Sequence, residues 1–413
     1  MKITRVEAFL LSYPLERPLV MPYYGGERSV YKRDAMLIRV ETDKGIVGYA
    51  PGPGSEAAKQ IIERKIAPFL LAHSLADPDA LRVKWLAGPG KGNEALTKAY
   101  CAVEIALYDI VGRARRIPVS ELIGGRVRDR IRLYGSAGMY MPPDKLAEEA
   151  SAIGELGFRA YKMRAAMGSE QDVEAVKRIR EAVGPAFDLM VDAHTWWRMG
   201  DRNYSSEVVE AVAEQLSEYD IAWLEEPLPP DDHHAYRRLK ERGVVALASG
   251  EHEPSELRYM DLILTGCVDY VQMDVVCQGG YPTGRRIMPE IASAGLRFAF
   301  HSWGTALEVI AAAHLGICWP DTVVEWLEYP CYSTAARAGM YPFPLAAEIL
   351  KEPLQIDQGD LVVPREPGLG IEIDESVIER YPWIPGPWSS FRLDSPTGTH
   401  SVMGDHSVRW AES

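Results

Sequence analysis

Several short segments of the chain end in side chains that ionise or bind metals. YKMR carries Lys162 and Arg164, VDAH carries Asp192 and His194, WLEEP carries Glu225 and Glu226, and SGEH carries Glu251 and His252. QMD then ends in Asp274, FHS holds His301, and WLE ends in Glu328. Each follows an apolar run, so each charge stands at the end of a strand that should be buried. Alternate residues of a strand share a face, which points Asp192 and His194 the same way. Burying so many charges without partners would be prohibitive, and a metal ion is the economical partner. Asp192, Glu225 and Glu251 make the best ligand set, because they lie on successive strands about one βα unit apart. Three hard carboxylate oxygens and no cysteine favour Mg²⁺ over zinc. The plainer alternative is that such carboxylates pair with Lys or Arg of neighbouring loops. Asp274 and His301 form a second constellation, in which a carboxylate on one imidazole nitrogen fixes the tautomer and raises the basicity of the other. Lys162 and Arg164 supply positive charge for a substrate carboxylate.

The elements that must position these groups are legible as a rhythm. Apolar strands recur at IRLYGSAG, FRAYKMR, FDLMVDAH, IAWLEEP, VVALASGEH, YVQMDVV, LRFAFHSW and VVEWLEY, with helical patterns such as EAVKRIREAV and SSEVVEAVAEQL between several of them. Eight buried strands with intervening helices predict a parallel (β/α) barrel, whose active site is built at the C-terminal strand ends. Residues 1–128 read as a separate unit. There ITRVEAFLL and AMLIRVETDKGIVGYA are strands, and Ala102, Ile105, Ala106 and Ile110 form the apolar stripe of a helix. The barrel is expected over 129–345. Residues 346–413 are expected to return to the N-terminal unit, ending in a Pro/Gly/Ser-rich tail from about 380 that fits no regular element.

Bulk properties bound the function. A chain of 413 residues, 47% hydrophobic and 25% charged, is globular and large enough for two domains or a barrel with attachments. A net charge of −14 argues against wrapping nucleic acid or resting on an anionic membrane. No apolar run is long enough to span a bilayer and no signal peptide is visible. Five scattered cysteines without CxxC spacing read as free thiols, so a cytoplasmic location is expected.

The order K-x-R, D-x-H, W-L-E-E-P, S-G-E-H, Q-M-D, F-H-S and W-L-E resembles the enolase superfamily, in its mandelate racemase group, over nearly the whole chain. The resemblance implies a modified (β/α)₇β TIM-like barrel with an α+β capping domain, Mg²⁺, and abstraction of a proton α to a carboxylate. It matches Asp192, Glu225 and Glu251 to the metal ligands and Asp274 and His301 to the His–Asp dyad. Glu328 matches the acid that hydrogen-bonds the enediolate. It also places specificity loops at MPYYGGERSVYKR and APGPGS, making Tyr24, Arg28 and Arg33 candidate substrate contacts. The family is often oligomeric, so a homo-oligomer acting on a small-molecule acid is expected.

The racemases of this group carry K-x-K, the second lysine being one of two bases. This chain has Arg164 there, which stays protonated and makes a poor base. His194 is placed to protonate a leaving group, as in acid-sugar dehydratases that resemble this chain at D-x-H; His194 as a structural residue remains the alternative. The stretch YDIAWLEEPLPPDDHHAYRRLK is similar to L-rhamnonate dehydratases, which differ at K-x-R and D-x-H. Dehydration of an aldonate or aldarate to a 2-keto-3-deoxy acid is therefore the expected reaction. Racemisation or epimerisation of a 2-hydroxy acid is the nearest rival, and a non-catalytic, metal-stabilised binding protein a more distant one. Cycloisomerisation is expected less, because such relatives usually show K-x-K and a lysine where this chain has Asp274.

Overall fold

The computed structural model describes residues 1–331, 343–395 and 398–404, with side chains as far as 394. The tail beyond 404 lies outside the described residues. All eight expected barrel strands are present: β4 (Arg130–Ser136), β5 (Ala160–Arg164), β6 (Asp188–Asp192), β7 (Trp223–Glu225), β8 (Leu247–Ser249), β9 (Tyr270–Met273), β10 (Arg297–Phe300) and β11 (Val324–Tyr329). They pair in parallel in sequence order, and β11 closes on β4. Helices such as Ser169–Val183 and Ser206–Leu216 cover the outside, each burying one apolar stripe against the strands.

The barrel is filled, not hollow. Tyr134, Ala160, Met190, Trp223, Ala248, Tyr270, Ala299 and Trp326, one from each strand, pack as a single inner cluster. Trp223 lies 5.4 Å from Tyr134 and 4.9 Å from Tyr270, ring centre to ring centre, and the small alanines make room for these rings. This apolar floor sets the height of everything above it.

Beside the barrel stands an antiparallel sheet. β1 (Ile3–Tyr23) pairs along most of its length with β2 (Gly26–Thr42). The other side of β2 is shared, with β3 (Val47–Gly52) on Met36–Glu41 and a C-terminal strand on Gly26–Val30. The helix Glu94–Arg115 starts at Asn93, whose side chain accepts the Leu96 N–H, and buries Ala102, Ile105, Ala106 and Ile110 as the stripe predicts. A Cβ at Gly48 would stand 2.4 Å from the Ala106 carbonyl oxygen, so glycine is what lets helix and sheet approach.

The C-terminal segment divides between the two bodies instead of returning wholly to the N-terminal unit. β12 (Ile356–Asp357) and β13 (Asp360–Val362) form a hairpin that adds antiparallel to barrel strand β4. The tail that fits no regular element in the sequence supplies β14 (Ser389–Ser395), which pairs with β2, and β15 (Gly398–Gly404), which pairs with β14. The proline-rich stretch 381–388 carries the chain there. Only its long-range partner makes 389–395 a strand, which is why local pattern does not announce it. Among the described residues no helix is long and apolar enough to cross a membrane.

Candidate active site

Two residues beyond the floor, strand alternation brings up the next inward layer. It reads Ser136, Lys162, Asp192, Glu225, Gly250, Gln272, His301 and Glu328 in strand order. The change from apolar floor to charged layer takes one strand period. Lys162 is fully buried, its Nζ 2.6 Å from Glu225 Oε1, 3.1 Å from Glu328 Oε1 and 3.8 Å from Asp192 Oδ2. The other oxygen of Glu225 accepts from Gln272 Nε2 at 2.8 Å and Trp223 Nε1 at 3.0 Å. At Gly250 the chain takes φ +132°, and a Cβ would lie 2.2 Å from the Gln272 carbonyl oxygen, so only glycine fits where the chain turns toward Glu251.

Arg164 is held as a cation. Its Nη1 donates to the Ala137 carbonyl at 2.8 Å, its Nε stands 3.6 Å from Asp192, and its guanidinium lies 3.9 Å above the Trp303 ring.

Three histidines line the rim. His301 Nδ1 is 3.0 Å from Asp274 Oδ2, and its Nε2 is 3.1 Å from Glu251 Oε2 and 3.8 Å from Glu328 Oε2. Burial works against the charged ring, but Glu251, Glu328 and Asp274 outweigh it and push His301 up to about 10. His194 Nδ1 meets Asp192 Oδ1 at 2.6 Å. Burial prevails there despite that carboxylate and lowers its pKa. His252 Nδ1 lies 2.6 Å from Glu226 Oε2 and 3.4 Å from Glu251 Oε1, while Arg198 Nη2 approaches its Nε2 at 2.9 Å. A guanidinium can only donate, so Nε2 is the acceptor and Nδ1–H faces the carboxylates.

The adjacent glutamates of WLEEP part company. Glu225 is the last residue of β7 and points into the barrel, whereas Glu226 takes φ +41° and turns toward His252. A non-glycine residue in that region is strained, a cost that tends to accumulate at functional sites. Ligand atoms of Glu226, Glu251 and His252 lie within 4.8 Å of one another. Glu226 Oε1 is buried with no hydrogen-bond partner, and burial, with Glu251 nearby, raises its pKa to about 8. The expected ligand set is arranged differently. Asp192 and Glu225 are register partners on adjacent strands, with the Lys162 ammonium against both, and Glu251 follows at the end of β8.

These residues fit a divalent cation. Asp192, Glu225, Glu226 and Glu251 bring four carboxylates close together, and the Lys162 ammonium already marks a cation position between the first two. The donors are hard oxygens with an imidazole at the edge, a set suited to Mg²⁺.

A cavity of about 280 Å³ opens above this layer, lined by Glu251, His252, Asp274, His301, Trp303, Glu308 and Arg198 from the barrel side. Arg33, Asp34, Gly52, Pro53 and Gly54 line it from the sheet. Of the three candidate contacts from the sheet, Arg33 lies on this cavity; Tyr24 and Arg28 do not. Tyr24 packs against Tyr204 with the Arg202 guanidinium 5.0 Å from its ring, and Arg28 lies against Trp388 and Phe391. Glu226 and His252 stand among the strand-end groups read from the sequence, without an assigned role, and Trp303 and Glu308 are missing from that set. Trp303 carried a signal, two residues beyond His301.

A sealed apolar floor, a charged layer at the strand ends and a sheet beside the mouth define an enolase-type barrel. Family models agree. Residues 145–377 match the enolase C-terminal domain-like family, and residues 6–124 match the N-terminal domain of mandelate racemase and muconate lactonizing enzyme. The chain belongs to the enolase superfamily, in its mandelate racemase and muconate lactonizing enzyme family. It is 28% identical over 395 residues to D-galactarolactone cycloisomerase of Agrobacterium fabrum, covering 92% of this chain and 99% of that one. It is 27% identical over 368 residues to D-xylonate dehydratase of Haloferax volcanii, covering 84% and 85%. Among solved structures, an enolase superfamily member from Polaromonas sp. JS666 superposes with a TM-score of 0.81 at 30% identity, covering 94% and 99%.

Proposed function

We propose that the protein is a Mg²⁺-dependent dehydratase that converts an aldonate or aldarate into a 2-keto-3-deoxy acid. The observation that carries this reading is the pairing of one oriented base with a cation opposite it. His301 is held by Asp274, while Arg164, stacked on Trp303, stands where a racemase would need a second base. Asp192, Glu225 and Glu251 are the residues that would hold the ion, with Glu226 and His252 buttressing Glu251. Bound there, Mg²⁺ supplies positive charge against the developing enediolate in a low-dielectric barrel mouth.

The chain's own groups do the rest. Lys162 and Arg164 bind the substrate carboxylate, and Lys162 exchanges its contact with Glu225 for that carboxylate. Asp274 accepts the Nδ1 proton of His301, and once Glu251 turns from Nε2 to its metal-holding role, that nitrogen would carry the lone pair that takes the α-proton. Glu328 hydrogen-bonds the enediolate. The C3–O bond then breaks, and the hydroxyl leaves as water with the proton that His301 took from C2, while His194 hydrogen-bonds the departing oxygen. The resulting enol tautomerises to the ketone, so one water is lost and no oxidant is needed. The free thiols of Cys101, Cys267 and Cys318 support a cytoplasmic location.

The similarity to a cycloisomerase supports a second reading, in which the β-oxygen that leaves belongs to a ring and opens without loss of water. Proton NMR of the Mg²⁺-loaded protein in D₂O, against sugar acids and their lactones, separates these outcomes. A 2-keto-3-deoxy product with one deuterium at C3 supports dehydration. Exchange at C2 with inversion and no ketone would refute it in favour of racemisation, and reaction of lactones alone would favour ring opening.

A further inference from the structure

The C-terminal arm reaches the cavity through the residues it holds. Trp388 accepts backbone hydrogen bonds from Tyr31 N at 2.9 Å and Lys32 N at 3.4 Å, immediately before Arg33. Its ring lies 4.6 Å from the Arg28 guanidinium and 5.5 Å from that of Arg33. Arg33 is almost fully buried, with Phe343 at 4.8 Å and Trp303 at 5.8 Å completing an aromatic surround, and it donates to the Trp303 carbonyl at 3.2 Å. Trp303 also carries Arg164, so one ring connects the carboxylate-binding cation to the cation from the sheet.

Asp34, the next cavity residue, is tied to the same arm. Ser12 donates to Asp34 at 2.7 Å and accepts from Ile384 N at 3.1 Å. Lys32 pairs with Asp34 at 3.1 Å, bonds the Ile384 carbonyl and lies 4.3 Å from the Trp383 ring. The two sheet residues that face the cavity side by side, one a donor and one an acceptor, are thus both fixed from a segment some 350 residues away.

We propose that this arm is part of the substrate-recognition apparatus, and that Trp388 is a positioning residue that holds Arg33 to read the end of the substrate remote from the reacting carbons. A guanidinium beside a carboxylate already paired with Lys32 leaves one net positive charge among several donors and acceptors, which suits the oxygen-rich far end of a sugar acid. The inference rests on the reading of this cavity as a sugar-acid site. An arm that only stabilised the sheet would affect substrates of every length alike.

The test is steady-state kinetics of full-length, Mg²⁺-loaded Trp388→Ala and Trp388→Phe. The probes are a six-carbon aldonate taken from the acids the wild type dehydrates and its four-carbon homologue of the same C2 and C3 configuration, measured by KM or, where it does not turn over, by Ki. For the six-carbon acid, Trp388→Ala is expected to raise KM roughly tenfold with kcat within about twofold, the scale of one desolvated cation–π contact. The four-carbon acid should bind as before, and Trp388→Phe should restore most of the discrimination. If the alanine variant is insoluble, Trp388→Leu carries the same test, since it keeps apolar volume without an aromatic face. An unchanged ratio between the two acids, or an equal fall in kcat on both, overturns the inference and leaves the dehydratase reading intact. A wild type that dehydrates none of the acids overturns that reading and the inference with it.

Discussion

Replacing Asp274 by Asn isolates the base. The Oδ1 oxygen of Asp274 accepts the backbone N–H groups of Val276 at 2.8 Å and Cys277 at 3.1 Å, while Oδ2 faces His301 Nδ1 at 3.0 Å. An asparagine must keep its oxygen toward the two amides, because its nitrogen cannot accept from them. The amide nitrogen then faces His301 and can only donate. The imidazole must answer with a lone pair on Nδ1, which moves its proton to Nε2, the atom required to take the α-proton. The ring stays in place but in the wrong tautomer. General-base contributions of this kind are worth about 10²- to 10⁴-fold in kcat, or roughly 3–5 kcal/mol. KM should change little, because Lys162 and Arg164 are untouched. The assay is kcat and KM for the best sugar acid, with α-proton exchange in D₂O and the melting temperature recorded beside them. An Asp274→Asn enzyme with kcat within about threefold of wild type, or with exchange preserved, would show that His301 is not the base.

Chelation with EDTA should abolish turnover and Mg²⁺ should restore it; Glu251→Gln should raise the half-saturating Mg²⁺ concentration at least about tenfold, the loss expected when one of few carboxylate ligands goes. Comparing Glu225→Gln with Glu226→Gln tests the ligand assignment, which fails if only the second shifts the Mg²⁺ titration. Away from the site, buried His314 accepts from Ser120 N and donates to the Leu369 carbonyl, and burial lowers its pKa to about 4. Its folded pKa is below the unfolded value near 6.5, so its contribution is complete above about pH 6.5 and is lost as pH falls toward 4. The difference amounts to about 3 kcal/mol, on the order of magnitude. Denaturant titrations of wild type and His314→Gln across that window should converge at low pH; parallel curves would refute this.

Much of the barrel was legible because strand alternation and apolar runs are local. The runs ending at Lys162, Asp192, Glu225, Glu251, Asp274, His301 and Glu328 each carry their own signature, and barrel closure follows from having eight of them. What local pattern cannot show is which way a side chain turns once its strand has ended. Glu225 and Glu226 are indistinguishable in WLEEP, and only the φ of +41° at the second separates a group facing Lys162 from one facing His252. The sheet side of the cavity was harder still. Tyr24, Arg28 and Arg33 lie in one stretch, and what sorts them is their company: Tyr204 and Arg202 at Tyr24, Trp388 and Phe391 at Arg28, and Trp303, Phe343 and Trp388 around Arg33. Those aromatics come from distant parts of the chain, so no window of sequence contains the relation.

The two halves of the site therefore answer to different constraints. The charged layer is bound to the barrel's register: a one-residue slip of any strand would carry its charge out of the layer and an apolar neighbour in. Chemistry that depends on Lys162, Asp192, Glu225, Gln272 and Glu328 meeting across the barrel cannot drift without losing the apolar floor two residues below. Arg33 and Asp34 are held instead by a sheet that the two ends of the chain complete together, through Ser12 on one side and Ile384 and Trp388 on the other. Substitutions in that sheet leave the floor and its register intact. The fold thus allows what it binds to change while the proton-transfer geometry stays fixed, and relatives as different in name as a cycloisomerase and a dehydratase, each about equally similar to this chain, are what such a division of constraints would produce.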